Sequence, residues 1–171
     1  DRCGRVVGAV PEGFFVERRE WSRWKHETLR RYLPRFAGIL GSRYRVVYYI
    51  DGFAGAGAYD ADQVPGSPLL AASIAEAIAK TQKFGFEIRC INVERLHRNF
   101  VKLSAAMAAH PVQRVRNLEG ELSDHLDDIL ASTQGSPALF FLDPFGYKGI
   151  EWDFMLRLTR RAFECPTELM I

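Results

Sequence analysis

Acidic residues and glycines follow an apolar stretch of the sequence in a pattern that suits a nucleotide-like ligand. The stretch RVVYYI leads directly into Asp51 and the glycines Gly52, Gly55 and Gly57. Glycine accepts a positive φ and allows a close approach to the backbone, which a nucleoside group needs at a first strand-to-helix turn. The spacing is G-x-x-G-x-G rather than G-x-G-x-x-G, and the motif G-x-x-x-x-G-K-[ST] does not occur. The sequence therefore disfavours NAD, FAD and standard P-loop nucleotide binding.

Two further acids are candidates for binding a ribose and a base. Glu94 ends a predicted strand, where a carboxylate can accept hydrogen bonds from both ribose hydroxyls. Glu121, or with less support Glu119, follows the next predicted strand and is a candidate partner for an adenine amino group. Acids are also common in solvated turns, so each of these residues has a purely structural alternative.

A third acid begins the sequence Asp143-Pro144-Phe145-Gly146, which follows the apolar run ALFFL. The Asp143 carboxylate and the Pro144 carbonyl can accept hydrogen bonds from an exocyclic amine, and Phe145 can stack on a flipped or single-stranded base. Holding such an amine with its lone pair directed at a methyl donor catalyses transfer mainly by orientation. The alternative is a plain Asp-Pro turn with Phe145 packed inward.

An early helix supplies the remaining polar candidates. Its pattern covers residues 17–40, after a predicted irregular arm over residues 1–16, and we predict that Pro34 kinks or divides it. Lys25, followed by His26, could pair with a ligand carboxylate. The arginines of this helix are typical of a solvated face, with nucleic-acid contact as the alternative.

The elements that must position these residues alternate between strands and helices. Further strands are predicted over residues 45–50, 87–93, 113–118, 138–142 and 168–171. Further helices are predicted over residues 68–82 (with Ser67 as N-cap), 97–109, 123–132 and 152–162. This alternation predicts an α/β fold whose mainly parallel sheet is covered by helices on both faces. Ligands of such sheets bind beyond the carboxyl ends of the strands, which is where the candidate acids fall.

The composition is that of one globular domain and leaves the partner open. The 171 residues are 47% apolar and 26% charged, with a net charge of +2 that argues neither for nor against nucleic acid. No window approaches the ~20 apolar residues that span a bilayer, and a secretory signal is not recognisable, which predicts a cytoplasmic protein without a membrane partner. Cys3, Cys90 and Cys165 lack CxxC spacing and predict free thiols and no metal site.

With these motifs in place, the segments WSRWKHETLRRYL, YYIDGFAGAGAY, PGSPLLA and FFLDPFGYKG resemble the three-Cys-motif partner proteins. This prokaryotic family consists of predicted S-adenosylmethionine (SAM)-dependent methyltransferases. The resemblance implies a Rossmann-like methyltransferase domain over residues 17–171, and a companion protein that is similar to radical-SAM enzymes. Family members continue into more strands and a winged-helix-like region. The resemblance therefore also implies that this sequence is truncated after the fifth strand and lacks those later elements.

A more distant similarity is to the bacterial methyltransferases of adenine N6 in large-subunit ribosomal RNA. It implies that Lys25 and Ser67 contact the methionine carboxylate of SAM, that Glu94 contacts its ribose, and that Asp143 serves both the cofactor and the target amine. Phe53 stands where that group has a histidine. The Asp-Pro-Phe-Gly sequence also departs from that group and looks like the motif of transfer-RNA guanine-N2 methyltransferases, so an amine is expected but the base is not identified.

These observations lead us to expect a SAM-dependent methyltransferase acting on an exocyclic amine of a base in RNA or DNA. The alternative is a catalytically inactive methyltransferase-like scaffold that binds a three-Cys-motif partner or nucleic acid. The expected cofactor-binding residues are Lys25, Asp51, Gly52, Gly55, Gly57, Ser67, Glu94 and Glu121, and the expected catalytic residues are Asp143, Pro144 and Phe145.

Overall fold

The computed structural model describes residues 12–58, 64–81, 85–111, 114–144 and 152–171, with side chains from residue 23 onward. The strands are β1 (Val46–Asp51), β2 (Glu87–Glu94), β3 (Val115–Glu119), β4 (Ala138–Phe141) and β5 (Thr167–Met170). The helices are α1 (Glu12–Gly41), α2 (Ser67–Thr81), α3 (His97–Met107), α4 (Leu122–Ser132) and α5 (Trp152–Glu164). The predicted α/β class is confirmed.

The five strands form one parallel sheet in the order β3-β2-β1-β4-β5. This is a Rossmann-like arrangement, in which the chain first moves outward from β1 and later returns to β1's other side. The order therefore reverses between β1 and β4, where Asp51 pairs in register with Phe141. The carboxyl ends of these two strands lie side by side at the usual ligand position of doubly wound sheets.

Alternate residues of the central strands pack on opposite faces of the sheet, as the period of a strand requires. Tyr49 and Phe141 join the core beneath α1 and α2, together with Leu33. Ile50 and Phe140 join the core beneath α4 and α5. The prediction of helices on both faces is thus confirmed.

The N-terminal helix begins earlier than predicted, and of the two effects predicted for Pro34 the division of the helix does not occur. It begins at Glu12, so residues 12–16 are helical and do not belong to an irregular arm, while residues 1–11 lie outside the described residues. Pro34 lies inside one continuous helix and does not divide it. Leu33 and Phe36, on either side of Pro34, are buried in the same core, and this packing outweighs the loss of one helical hydrogen bond.

Membrane-spanning helices and the cysteines, on which the composition led to expectations, can be examined in the described part of the chain. None of its helices combines the length and the apolar character that crossing a membrane requires. Cys90 and Cys165 are buried free thiols, and Cys3 lies outside the described residues.

Candidate functional site

The turn after β1 needs its glycines for two different reasons. Gly55 and Gly57 have positive φ angles of 64° and 85°, a conformation that other residues adopt only at a cost. Gly52 instead faces the core, since a Cβ there would lie 2.8 Å from side-chain carbons of Leu122 and Leu142. Gly52 therefore allows close packing beneath the turn, while Gly55 and Gly57 shape the turn itself.

The turn is closed by contacts with the segment that precedes α2. The Gly66 N–H donates to the Gly57 carbonyl over 2.7 Å, and a Cβ on Gly66 would lie 2.8 Å from the same oxygen. The Gly66 carbonyl in turn accepts the hydrogen bond of the Leu70 N–H, over 3.0 Å. Gly66 rather than Ser67 thus precedes the helix, and the prediction of Ser67 as N-cap is wrong.

Asp51 is completely buried and fastens this turn to the start of α2. Its carboxylate accepts hydrogen bonds from the Ser67 hydroxyl (2.6 Å), the Tyr49 hydroxyl (3.0 Å) and the Phe53 N–H (3.2 Å). Burial raises the pKa of Asp51 to about 6, with a smaller contribution from the charge of Asp143, and the three hydrogen bonds oppose the shift. The Ser67 hydroxyl is engaged here, which explains why it does not cap its own helix.

Glu94 joins the end of β2 to the glycine turn and is 7% exposed. One carboxylate oxygen accepts the Gly55 N–H over 2.8 Å, and the other accepts the Leu96 N–H over 2.7 Å. A carboxylate oxygen has two lone pairs, so each retains the capacity to accept a further hydrogen bond. Glu94 therefore holds the turn in place and still has acceptor capacity for a ligand hydroxyl.

Lys25 and Asp143, which are 118 positions apart, meet at the carboxyl end of β4. The Lys25 Nζ lies 2.6 Å from Asp143 Oδ1, and the two side chains are 15% and 32% exposed. Burial lowers the pKa of the neighbouring His26, an effect that the Asp143 charge opposes and Arg30 reinforces. Pro144 is half-buried, and Phe145 lies outside the described residues.

The acids at the end of β3 and just after it lie on an exposed part of the sheet's carboxyl edge. The Glu121 carboxylate is half-exposed and pairs with Arg95 at 3.4 Å, while its backbone N–H donates to Asp124 at the start of α4. Glu119 lies in register with Glu94 and contacts His97 Nδ1 at 2.8 Å. The structure therefore joins Asp51, Ser67, Gly55 and Glu94 through the glycine turn, and engages Glu121 at the surface.

Two polar positions of this edge were not identified from the sequence. Asn92 is fully buried, lies in register with Asp51, and donates from Nδ2 to Asn117 Oδ1 over 2.9 Å. Tyr49 donates to Asp51 from the residue two positions earlier on the same face. Both could have been found from the sequence, because the alternation of side chains along a strand puts Tyr49 and Asn92 on the same face of the sheet as Asp51.

Comparison with known proteins finds only distant structural similarity. No family model matches the chain, and no curated protein matches it. Among solved structures, a Legionella pneumophila protein of the DUF519 family model is similar, with 15% sequence identity and a TM-score of 0.45. The match covers 82% of this chain and 62% of that protein, so the chain spans less than two thirds of its length.

Proposed function

We propose that the protein is a SAM-dependent methyltransferase that modifies an exocyclic amine of a nucleic-acid base. The observation that carries the proposal is the placement of two carboxylate sites at one edge of the sheet, on either side of β1 and next to the point where the strand order reverses. Glu94 with its glycine turn forms one of them, and Asp143 with Lys25 forms the other. Doubly wound sheets bind nucleotide-like ligands at this position, and methyl transfer requires cofactor and acceptor side by side.

The residues around the glycine turn suit the parts of SAM. A Cβ built on Gly55 would meet nothing within 4 Å, so the space above the turn is open to a ligand. Glu94 would accept hydrogen bonds from the ribose hydroxyls with its remaining lone pairs. Lys25 would attract the methionine carboxylate, and Glu121 would accept a hydrogen bond from the adenine amino group. When bound, SAM supplies a methyl group on a positively charged sulfur.

Asp143 and Pro144 would orient the acceptor amine. Lys25 fixes one oxygen of Asp143, and the carboxylate is one-third exposed, so an amine N–H can reach this side chain. The Pro144 carbonyl offers a second acceptor, and together they would direct the nitrogen lone pair toward the methyl group. The chain would thus contribute mainly orientation and exclusion of alternative geometries.

Calorimetry with SAM tests the cofactor part of the proposal. In Glu94→Gln the side chain keeps its shape but loses the charge that favours ribose hydroxyls, so we expect affinity to fall by roughly 10- to 100-fold. The control is Glu119→Gln, at the end of the neighbouring strand, which should change affinity by less than about twofold. Absence of SAM binding by the unaltered protein, or equal affinity of Glu94→Gln, would refute the proposal.

Transfer of labelled methyl from SAM to total RNA or DNA tests the role of Asp143. Asp143→Asn removes the negative charge that binds Lys25 and that would bind an N–H of the acceptor amine. We expect methyl transfer to fall about 100-fold or more. Asp153→Asn, an exposed acid in the first turn of α5, serves as the matched control and should transfer normally. If the unaltered protein labels neither nucleic acid but still captures a three-Cys-motif companion, the scaffold alternative is correct.

A further inference from the structure

The outer face of α5 carries large apolar side chains. Trp152, Leu156 and Phe163 are 76%, 40% and 89% exposed. Together with the exposed Thr159 they occupy positions i, i+4, i+7 and i+11 of the helix. This spacing places the four residues in one row, which we call the outer stripe and which extends about 16 Å along the axis. The outer stripe is therefore one mainly apolar surface rather than a set of scattered residues.

The inner face of α5 is already packed on the sheet. Phe154 and Leu158 are buried in the core beneath α4 and α5, and the Phe154 ring meets the Phe140 ring edge-on with 6.3 Å between centroids. A helix that packs on one side only is typically polar on its other side. Because α5 is apolar on two sides and exposed aromatic rings are unfavourable in water, we expect a second surface to cover the outer stripe.

The polar member of the outer stripe can be buried at little cost. The Thr159 hydroxyl donates to the Met155 carbonyl over 2.9 Å, so it is satisfied within the helix. Thr159 and Leu156 lie at the centre of the outer stripe, and the two aromatic rings lie at its ends. Smaller residues at the centre allow a second helix to approach closely there.

The outer stripe is self-complementary when a second copy runs antiparallel to it. The register that places Leu156 beside Thr159 of the second copy also places Trp152 beside Phe163 of the second copy, because both pairs are centred between positions 157 and 158. Each contact then occurs twice, as a two-fold axis requires. The register thus pairs every large ring with a ring and the two central residues with each other.

Charges beside the outer stripe fit the same arrangement. Asp153 and Arg160 flank it on one side, two helical turns apart. Among the described residues neither has an ion-pair partner, whereas Arg157 pairs with Asp127. In the antiparallel register Asp153 lies within about 3 Å, along the axis, of the level of Arg160 of the second copy. Opposite charges therefore meet twice across the two-fold axis, whereas a parallel pair in register would oppose like charges.

We propose that the outer stripe of α5 binds the outer stripe of a second copy of this chain in a two-fold symmetric, antiparallel dimer. Aromatic side chains bury about 150–250 Å² each, so the four rings of the pair account for roughly 500–800 Å². Specific interfaces begin at about 1,000 Å² in total, so the dimer is small and reversible, with a dissociation constant on the order of 1–100 μM. The inference does not depend on the proposed function, because association is measured without cofactor or substrate.

Sedimentation equilibrium over about 1–500 μM protein tests the dimer. Phe163→Ser removes both aromatic pairs and should weaken association about 30-fold or more. The matched control is Ile39→Ser, since Ile39 is 72% exposed in the last turn of α1, which packs on the other face of the sheet. The control should associate like the unaltered protein. Both variants should have unchanged urea midpoints at low protein concentration, because the substituted side chains are exposed in the monomer.

Charge reversal tests the antiparallel register. Asp153→Arg and Arg160→Asp each place like charges opposite one another at both positions, so each variant alone should dimerise about 10-fold or more weakly. An equimolar mixture of the two variants restores opposite charges at both positions and should associate about as well as the unaltered protein. The neutral change Asp153→Asn removes only exposed ion pairs and should have a much smaller effect.

Four outcomes would overturn the dimer. These are a monomer throughout the concentration range, wild-type association of Phe163→Ser, an equal loss in Ile39→Ser, and a mixture of the two charge-reversed variants that stays monomeric. A lower urea midpoint of monomeric Phe163→Ser would assign the outer stripe to packing within its own chain. Calorimetry with SAM on the same preparations keeps the two hypotheses apart, since a monomer that binds SAM refutes the dimer alone and a dimer that does not bind SAM refutes the proposed function alone.

Discussion

The two edges of the sheet bury opposite charges. At the carboxyl edge the buried anions Asp51 and Glu94 accept hydrogen bonds from the N–H groups of Phe53, Gly55 and Leu96. At the amino edge the buried cation Arg161 donates to backbone carbonyls after α4 and to a hydroxyl at the start of β5. Helices begin with unpaired N–H groups and end with unpaired carbonyls, so each edge buries the charge that its own backbone groups favour.

The difference lies in what remains for a ligand. Arg161 uses both of its terminal nitrogens to join α4, β4 and β5, so its role is to hold these elements together. Glu94 binds two backbone groups and retains acceptor capacity, and Asp143, on the other side of β1 at the same edge, is one-third exposed. The amino edge thus contributes stability, while the carboxyl edge combines buried charge with open acceptors, as binding sites do.

The largest expected effect is on the amino edge. Arg161→Met keeps an unbranched side chain but leaves the carbonyls of Thr133 and Ser136 without this donor, and we expect a loss of about 2–4 kcal/mol in the free energy of unfolding. Arg160→Met, an exposed change on the same helix, should cost less than about 0.5 kcal/mol. Urea denaturation measures both, and SAM affinity should not change in either variant. A loss of SAM binding in folded Arg161→Met would contradict the assignment of stability to the amino edge and of ligand binding to the carboxyl edge.

Asp51 provides the next test, through pH. Because burial raises its pKa from 3.8 to about 6, the folded state favours the protonated carboxyl, and this contribution to stability is present at low pH. It is lost as pH rises through about 6, so the stability of the unaltered protein should fall relative to Asp51→Asn. Between about pH 4.5 and about pH 7.5 the difference should change by about 2 kcal/mol in favour of the variant.

Chemical denaturation of both proteins across this pH range measures the change. Arg161 stays charged throughout, so the stability difference between Arg161→Met and the unaltered protein should be nearly constant. A constant difference for Asp51→Asn as well would show that folding does not raise the pKa of Asp51.

A pair of glycines gives the smallest contrast. Gly57 at the carboxyl edge and Gly135 at the amino edge both have positive φ, at 85° and 74°. In Gly135→Ala the new Cβ has no neighbour within 4 Å, so only the positive φ is unfavourable, and the free energy of unfolding should fall by about 1 kcal/mol. In Gly57→Ala the new Cβ lies 3.3 Å from Leu103, and we expect about 1 kcal/mol more, together with weaker SAM binding.

Thermal or urea denaturation, combined with SAM calorimetry, checks this pair. Unchanged SAM affinity in Gly57→Ala would remove the turn from the proposed cofactor site, whereas reduced affinity in Gly135→Ala would contradict the separation of the two edges.

Much of the fold was accessible from the sequence, because apolar runs alternate with helical patterns and an acid stands at or just after the end of each of the first four strands. The candidate acids Asp51, Glu94 and Asp143 were found in this way, and the structure describes all three at one edge. The predicted start of α1 was wrong. The predicted division at Pro34 does not occur, because the packing on either side outweighs one lost hydrogen bond, and the sequence pattern could not weigh these two effects. Phe145 lies outside the described residues, so its predicted role stays a prediction.

The partners of these residues were decided by the tertiary structure. Nothing local indicates that Lys25 contacts Asp143, or that the Ser67 hydroxyl binds Asp51 instead of capping its helix. Arg161 resembles any surface arginine until the connection between α4 and β4 supplies the carbonyls of Thr133 and Ser136.

Sequence by itself therefore determined the order of strands and helices and the chemical character of the strand ends, because both depend on short-range periodicity. Only the folded chain decided which glycines shape the turn, which charges are buried and which acceptors stay open. Those properties depend on contacts between residues far apart in the sequence, such as the 118 positions that separate Lys25 from Asp143. Burial then sets the pKa of Asp51 and the hydrogen bonds of Glu94, which no local pattern encodes.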